Sequence, residues 1–254
     1  MKKILVVQFR TDQSEAHEQK CFCEQFPDVE FEFFNAITGS FSNDLLAGIA
    51  SVIFGGSGEF YLGQGAGKDT WLPKANTLID EMLARDVPFL GLCFGCQMLA
   101  LHQGARIVKD PAMEEIGAVA VTPLPSAEHD PLFANLPSQF PVHVAHKETA
   151  VDLPGHLIPL AHSEKVACQA FRVQGKRAWG VLFHAELDKK LMTERFFLYY
   201  DNGRKEYAEG GVEEIVGQFR ETREAGEVLR RFVVFISQKS LVKKPALSDS
   251  RMGL

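Results

Sequence analysis

The chain has 254 residues, 46% of them hydrophobic and 24% charged, which is enough to bury a core without disulfides or metal clips. A formal net charge of −6, with no interleaving of basic and aromatic residues, excludes the usual footprint of a nucleic-acid binder. No run approaches the roughly 18–20 apolar residues that cross a bilayer, so no membrane-spanning helix is expected.

The opening "MKKILVVQFR" is broken by Gln8 and Arg10 too early for a signal peptide. The five cysteines, an odd number, are therefore expected as reduced thiols in a cytoplasmic setting.

"ILVVQF" (4–9) reads as a buried parallel strand, short and β-branched. A helix over 14–26 follows, stopped by Pro27, and then a strand over 29–36. Residues 43–50 read as a short helix capped by Asn43. "SVIFGG" (51–56) is the third strand, 71–86 an amphipathic helix, 88–93 the fourth strand and 95–104 a helix stopped by Gly104. Strand and helix alternate, the signature of a doubly wound, mostly parallel α/β sheet flanked by helices.

Beyond residue 105 the pattern changes to short strand-like runs: "ARIVKD", "GAVAVTP", "FPVHVAH", "HLIPLA", "VACQAFRV" and "WGVLFHAE". They are expected to complete or decorate the same sheet. Apolar residues at 3–4 spacing return at Val212, Ile215, Val216 and Phe219, and again at Val228, Leu229, Phe232 and Phe235, marking C-terminal helix that packs on its own domain. Residues 239–254 read as a frayed tail.

The stretch "FLGLCFGCQ" (89–97) admits three readings. As a metal site, Cys93 and Cys96 lack a second ligand pair, and His143 and His146 lie three apart on a strand and face opposite sides. As a redox pair, the two cysteines sit at a strand-to-helix junction, where a helix N-terminus lowers a thiol pKa. That leaves the glycines unexplained. As a nucleophile elbow, Gly91-Leu92-Cys93-Phe94-Gly95 explains more. The turn strains the nucleophile's backbone, and side chains two residues to either side would crowd it. The Phe94 amide then opens a helix, facing a developing oxyanion. Cys96 becomes an ordinary packed residue.

A thiol nucleophile needs a base, and the base an orienter. His17 and His102 lie on predicted helices and His129 in a loop. His184 ends the apolar run "WGVLF", and Glu186 follows on the same strand face, where it can steer the imidazole.

"GLCFGCQ" and "WGVLFHAE" together resemble the class I, triad-type glutamine amidotransferases, with their G-x-C-x-G-x-Q and G-V-x-F-H-P-E patterns. The glycine turn "GGSGEF" (55–60), "EEIGAVAV" (114–121) and the segment from His146 to Val173 resemble in particular the glutamine-hydrolysing domain of GMP synthase. The likeness covers about residues 1–190 and implies a flavodoxin-like amidotransferase domain there, with a helical extension at 191–238.

The resemblance implies that Cys93 attacks the glutamine side-chain amide and that His184 passes a proton to the leaving ammonia. It implies that Glu186 orients His184, and that Gly56 and Phe94 supply the oxyanion donors. Gln97 and the backbone around Val144 and Ala145 would hold the amino-acid portion. No cofactor or metal is implied. Ala185 stands where the pattern has proline, Leu182 where glutamine is frequent, and His146-Lys147-Glu148 where it has H-G-D. None of these removes a catalytic group.

"GQGAGKDT" (63–70) fails the phosphate-loop pattern at Leu62 and Asp69, and reads instead as a glycine-rich loop able to cover the site. No second catalytic domain or pyrophosphatase loop is found to use the ammonia. The expectation is either a separate ammonia-accepting synthase subunit or hydrolysis of a γ-glutamyl peptide or conjugate for its own sake. A thiol-redox protein using Cys93 and Cys96 is the rival from another class.

Overall fold

The computed structural model describes residues 3–205 and 211–239. Its core follows from strands buried on both faces. Along β1 (Lys3–Gln8), Leu5 and Val7 face one apolar layer while Ile4 and Val6 face the other. The first layer is closed by α2 (Leu72–Ala84), through Ala75, Leu78, Ile79 and Met82, and by α3 (Phe94–His102), through Met98, Leu99 and Ala100. The second is closed by α1 (Ser14–Gln25), through Phe22, and by α6 (Arg223–Lys239), through Val228, Leu229 and Phe232. Helices thus cover both sides of the sheet, as the alternating first half predicts.

The remaining strands are β2 (Phe31–Asn35), β3 (Ile49–Phe54), β4 (Phe89–Leu92), β5 (Arg106–Lys109), β6 (Glu115–Pro123), β7 (Phe140–His146), β8 (Glu148–Val151), β9 (Leu157–His162), β10 (Ala170–Val173) and β11 (Ala178–Val181). Among the described residues nine of the strands form one sheet in the order β2-β1-β3-β4-β11-β10-β9-β6-β7. The pairs from β2 to β11 are parallel and those from β11 to β7 antiparallel, so the sheet is mixed.

Two further helices follow: α4 (Lys189–Asp201) packs on α1, and α5 (Val212–Gln218) packs on β6. Their contact is a small apolar cluster of Cys21, Leu191, Met192, Phe196, Ile215 and Phe219. The Asp188 side chain caps α4 by accepting from the Leu191 amide at 2.8 Å.

Two details differ from expectation. Residues 43–48 form turns, not a helix: Gly48 has φ 74°, which a right-handed helix cannot continue, and β3 begins one residue later. The run 106–109 does not join the main sheet but pairs antiparallel with β8. β8 is itself a strand hidden inside the motif segment "HKETAV". The tail expected at 239–254 lies, beyond Lys239, outside the described residues.

Candidate active site

Three neighbouring parallel strands end at one edge of the sheet. Phe54 of β3 pairs with Gly91 of β4, and Leu92 of β4 pairs with Val181 of β11. The residues that follow each strand therefore emerge side by side: Gly55-Gly56, Cys93 and His184. Carboxyl ends of parallel strands are where open α/β sheets hold ligands.

Cys93 caps α3 with φ 49° and ψ −101°, outside the regions open to ordinary L-residues. Its amide donates to Val181 O at 2.8 Å and its carbonyl accepts from the Gln97 amide at 3.0 Å, so the strained turn is held from both sides. The flanking glycines are sterically required. A Cβ on Gly91 would lie 2.4 Å from Gly95 O, and a Cβ on Gly95 would lie 2.3 Å from Phe54 O. The Phe94 amide opens α3, where helical bonding leaves the first amides without an intrahelical acceptor.

His184 and Glu186 are buried beside Cys93. His184 Nδ1 lies 2.8 Å from Glu186 Oε1. Burial alone would lower the imidazole pKa. The charge of Glu186, then the charge of Cys93 and hydrogen bonds to both, outweigh it and raise His184 to about 10. Burial alone would raise Glu186; the His184 charge and hydrogen bond, with Arg195 helping, lower it to about 2. The imidazole is thus held charged against an ionised carboxylate. The backbone continues this geometry, since the His184 amide donates to His143 O at 2.8 Å.

The Gly56 amide, named as an oxyanion donor, is engaged: it donates to Glu18 Oε1 at 3.1 Å. Glu18 is fully buried, accepting from Gln8 Nε2 at 3.0 Å and forming an ion pair with Arg10, whose Nε lies 3.2 Å away. Arg10 in turn donates to Ser14 Oγ at 3.1 Å and to the Tyr199 hydroxyl on α4. Neither Glu18 nor Arg10 carried a readable signal in the sequence, because their partners come from elements far apart in the chain.

On the other side of Cys93 a small cleft is lined by Cys93, Gln97, Tyr61, Ala145, Lys147 and Glu148. Gln97 is anchored by donating to Glu148 O at 2.6 Å. Ala145 faces this cleft, whereas the Val144 side chain enters the apolar core and the residue pairs with Gly117. Residues 57–61 roof the cleft, and the Glu148 carboxylate ties the following turn by accepting from the Leu62 amide at 2.8 Å and the Gly63 amide at 3.0 Å.

The scattered motif residues Glu115, His146, Ser163 and Gln169 meet in one buried network below this cleft. Ser163 Oγ donates to Glu115 Oε1 at 2.8 Å, His146 Nε2 lies 3.2 Å from Glu115 Oε2, and Gln169 Nε2 donates to the same oxygen. A satisfied buried carboxylate of this kind locks the end of β7, and with it the cleft wall. Among the described residues no group of three or more His, Cys, Asp or Glu side chains could hold a metal ion, and no helix is long and apolar enough to cross a membrane.

A family model described as glutamine amidotransferase class-I matches residues 43–198. A glutamine-hydrolysing GMP synthase subunit of Methanocaldococcus jannaschii is 32% identical over 116 residues, 46% of this chain and 60% of that one. The glutamine-hydrolysing GMP synthase of Thermosipho africanus is 32% identical over 108 residues, 42% of this chain and 20% of the synthase. These matched regions span less than two thirds of either relative. A crystal structure of a glutamine amidotransferase from Thermotoga maritima superposes with a TM-score of 0.75 at 24% identity, covering 93% of this chain and 98% of the other. It shares the fold.

Proposed function

The chain belongs to the class-I glutamine amidotransferase family, and on that footing we propose that it hydrolyses the side-chain amide of glutamine through a γ-glutamyl thioester on Cys93. The observation that carries this reading is the strained φ of 49° at Cys93, beside an imidazole held charged by a buried carboxylate.

In this mechanism the Cys93 thiolate, paired with the His184 imidazolium, attacks the γ-carbonyl carbon. Negative charge builds on the carbonyl oxygen, facing the Phe94 amide and the N-terminus of α3. One such donor is worth roughly 3 kcal/mol of barrier. The Gly56 amide can join it only when its bond to Glu18 opens. The C–N bond then breaks as His184 gives its proton to the departing nitrogen, and ammonia leaves. Glu186 keeps the ring oriented throughout. Water, deprotonated by the now neutral His184, attacks the thioester and releases glutamate, restoring the thiolate–imidazolium pair. Gln97 and the wall from Ala145 to Glu148 receive the amino-acid portion of the substrate.

One relative is named as a subunit of a GMP synthase, which supports an ammonia-accepting synthase subunit as the partner of this chain. Thiol-redox chemistry has weaker support. Cys96 is buried beneath the sheet, near the position of a Cβ on Gly180. Burial, together with the charges of Cys168 and Cys93, pushes its thiol well above the ordinary range. The direct test is release of glutamate and ammonia from glutamine. Wild type is expected to show it and folded Cys93→Ala to lack it; equal rates would refute the reading.

A further inference from the structure

The peptide joining Gly55 to Gly56 is held at both ends. Its carbonyl accepts from the Gly95 amide at 3.1 Å, and its N–H donates to Glu18 Oε1 at 3.1 Å. That N–H is therefore spent on a carboxylate of α1 and is not free to meet an oxyanion. Yet the residue lies at the reacting pair: a Cβ on Gly56 would sit 3.1 Å from His184 Cε1 and 3.8 Å from Cys93 Cβ. Glu18 is a fixed acceptor. Its Oε2 accepts from Gln8 Nε2 at 3.0 Å, and Arg10 Nε lies 3.2 Å from Oε1. Arg10 is fully buried in turn, tied to Ser14 at the start of α1 and to Tyr199 on α4.

A peptide between two glycines can turn over, because neither neighbour sweeps a side chain through its surroundings. Turning reverses both ends. The Gly56 N–H leaves Glu18, and the Gly55 oxygen comes round to it. A carboxylate paired with a guanidinium offers lone pairs and no proton, so it binds an N–H and repels a carbonyl oxygen. Glu18 thus favours the observed orientation and opposes the other.

We propose that Glu18, fixed by Gln8 and Arg10, is a positioning residue that withholds the Gly56 amide from the oxyanion, so that the site works below the rate its own backbone could support. This inference rests on the thioester reading above and concerns the speed of that same reaction. It gives position 18 a role opposite to support: removing the carboxylate speeds the chemistry. Breaking a merely structural ion pair would slow the reaction or leave it alone.

Glu18→Gln tests it, because the carboxamide keeps the shape while its N–H can meet the Gly55 oxygen of the turned peptide. The full chain and this variant are compared in glutamate release from glutamine, per Cys93 titrated with a glutamine-like electrophile. They are also compared in alkylation of Cys93 by iodoacetamide, a displacement that develops no oxyanion. The expected kcat is about tenfold or more above wild type, within the roughly 10²–10³ that one donor supplies, with KM and the iodoacetamide rate unmoved. Should Glu18→Gln give no titratable Cys93, Glu18→Asp decides: its shorter side chain keeps a charge before Arg10 but draws it back from Gly56, and kcat should again rise. Full titration with kcat equal or lower overturns the restraint and leaves the thioester reading standing. A rise in kcat matched by the iodoacetamide rate also overturns it, since the change then lies in the thiol. No glutamate from wild type or variant overturns both.

Discussion

Glu186 Oε1 lies 2.8 Å from His184 Nδ1, although a single residue separates them in the chain. One carboxylate thereby fixes both the tautomer and the charge of the imidazole. Burial is the largest single influence on His184 and lowers its pKa; without the Glu186 charge less opposes it, and the pKa falls from about 10. Glu186→Gln should lower kcat by about 10²–10⁴-fold. It should also move the alkaline fall of the pH–rate profile to lower pH. A rate profile for Glu186→Gln that overlays wild type would contradict the pairing.

The same pair sets part of the pH dependence of stability. The His184 pKa is raised, so its contribution is complete below about 6.5 and is lost as pH rises through about 10. The Glu186 pKa is depressed, so its contribution is present above about 4.5 and lost as pH falls through about 2.

Acid should weaken the fold earlier, and for another reason. Burial first, then the Arg195 charge, holds His17 at about 4. Burial likewise holds His143 at about 4, against the Leu187 carbonyl. Between pH 6.5 and 4 the unfolded chain binds more protons at these sites, so stability falls as pH is lowered. Urea midpoints at pH 7.0, 5.5 and 4.5 should decrease in that order, with a shallower decrease in His143→Gln. A flat series would show that these histidines are not buried neutral.

Gly95→Ala drives a Cβ to 2.3 Å from Phe54 O. Neither atom belongs to a flexible side chain, so the elbow or β3 must shift. The expected cost is about 1–3 kcal/mol, with loss of Cys93 alkylation by a glutamine-like electrophile. Wild-type labelling and stability in this variant would mean that the turn is looser than the geometry states. Cys96→Ala, by contrast, should keep glutaminase activity that Cys93→Ala abolishes; equal loss in both would favour the redox pair.

Much of the site was legible because its constraints are local. Gly91 and Gly95 flank Cys93 at two residues' distance, and a steric requirement at that range leaves a pattern in the letters. His184 and Glu186 are also near neighbours, but the strand face expected for them is not there: β11 ends at Val181, and the two side chains meet in the turn that follows it. What escaped reading is non-local. Arg195 meets His17 across 178 positions, and the engagement of the Gly56 amide by Glu18 spans 38. Glu148 reads as a departure from a family pattern, yet its carboxylate ties the Leu62 and Gly63 amides. The helix expected at 43–50 failed because Gly48 at φ 74° ends any such turn.

The C-terminal helix is part of the core, not an appendage. Phe232 is fully buried and packs edge-on against Trp179 at 6.2 Å between ring centroids. Phe232→Ala should destabilise the whole chain by about 3–5 kcal/mol in a single unfolding transition. A separate low-temperature transition, with the rest unaffected, would make α6 an independent unit.

The central claim is that the Cys93 sulfur forms the acyl bond. Rapid-quench mass spectrometry of the protein mixed with glutamine, followed by peptide mapping, tests it most directly. The account predicts a transient γ-glutamyl increment on the peptide carrying Cys93, lost in Cys93→Ala and accumulating when His184 is replaced by a residue that still permits attack but slows hydrolysis. Glutamate released at full rate with no adduct, or an adduct on any other residue, would contradict it.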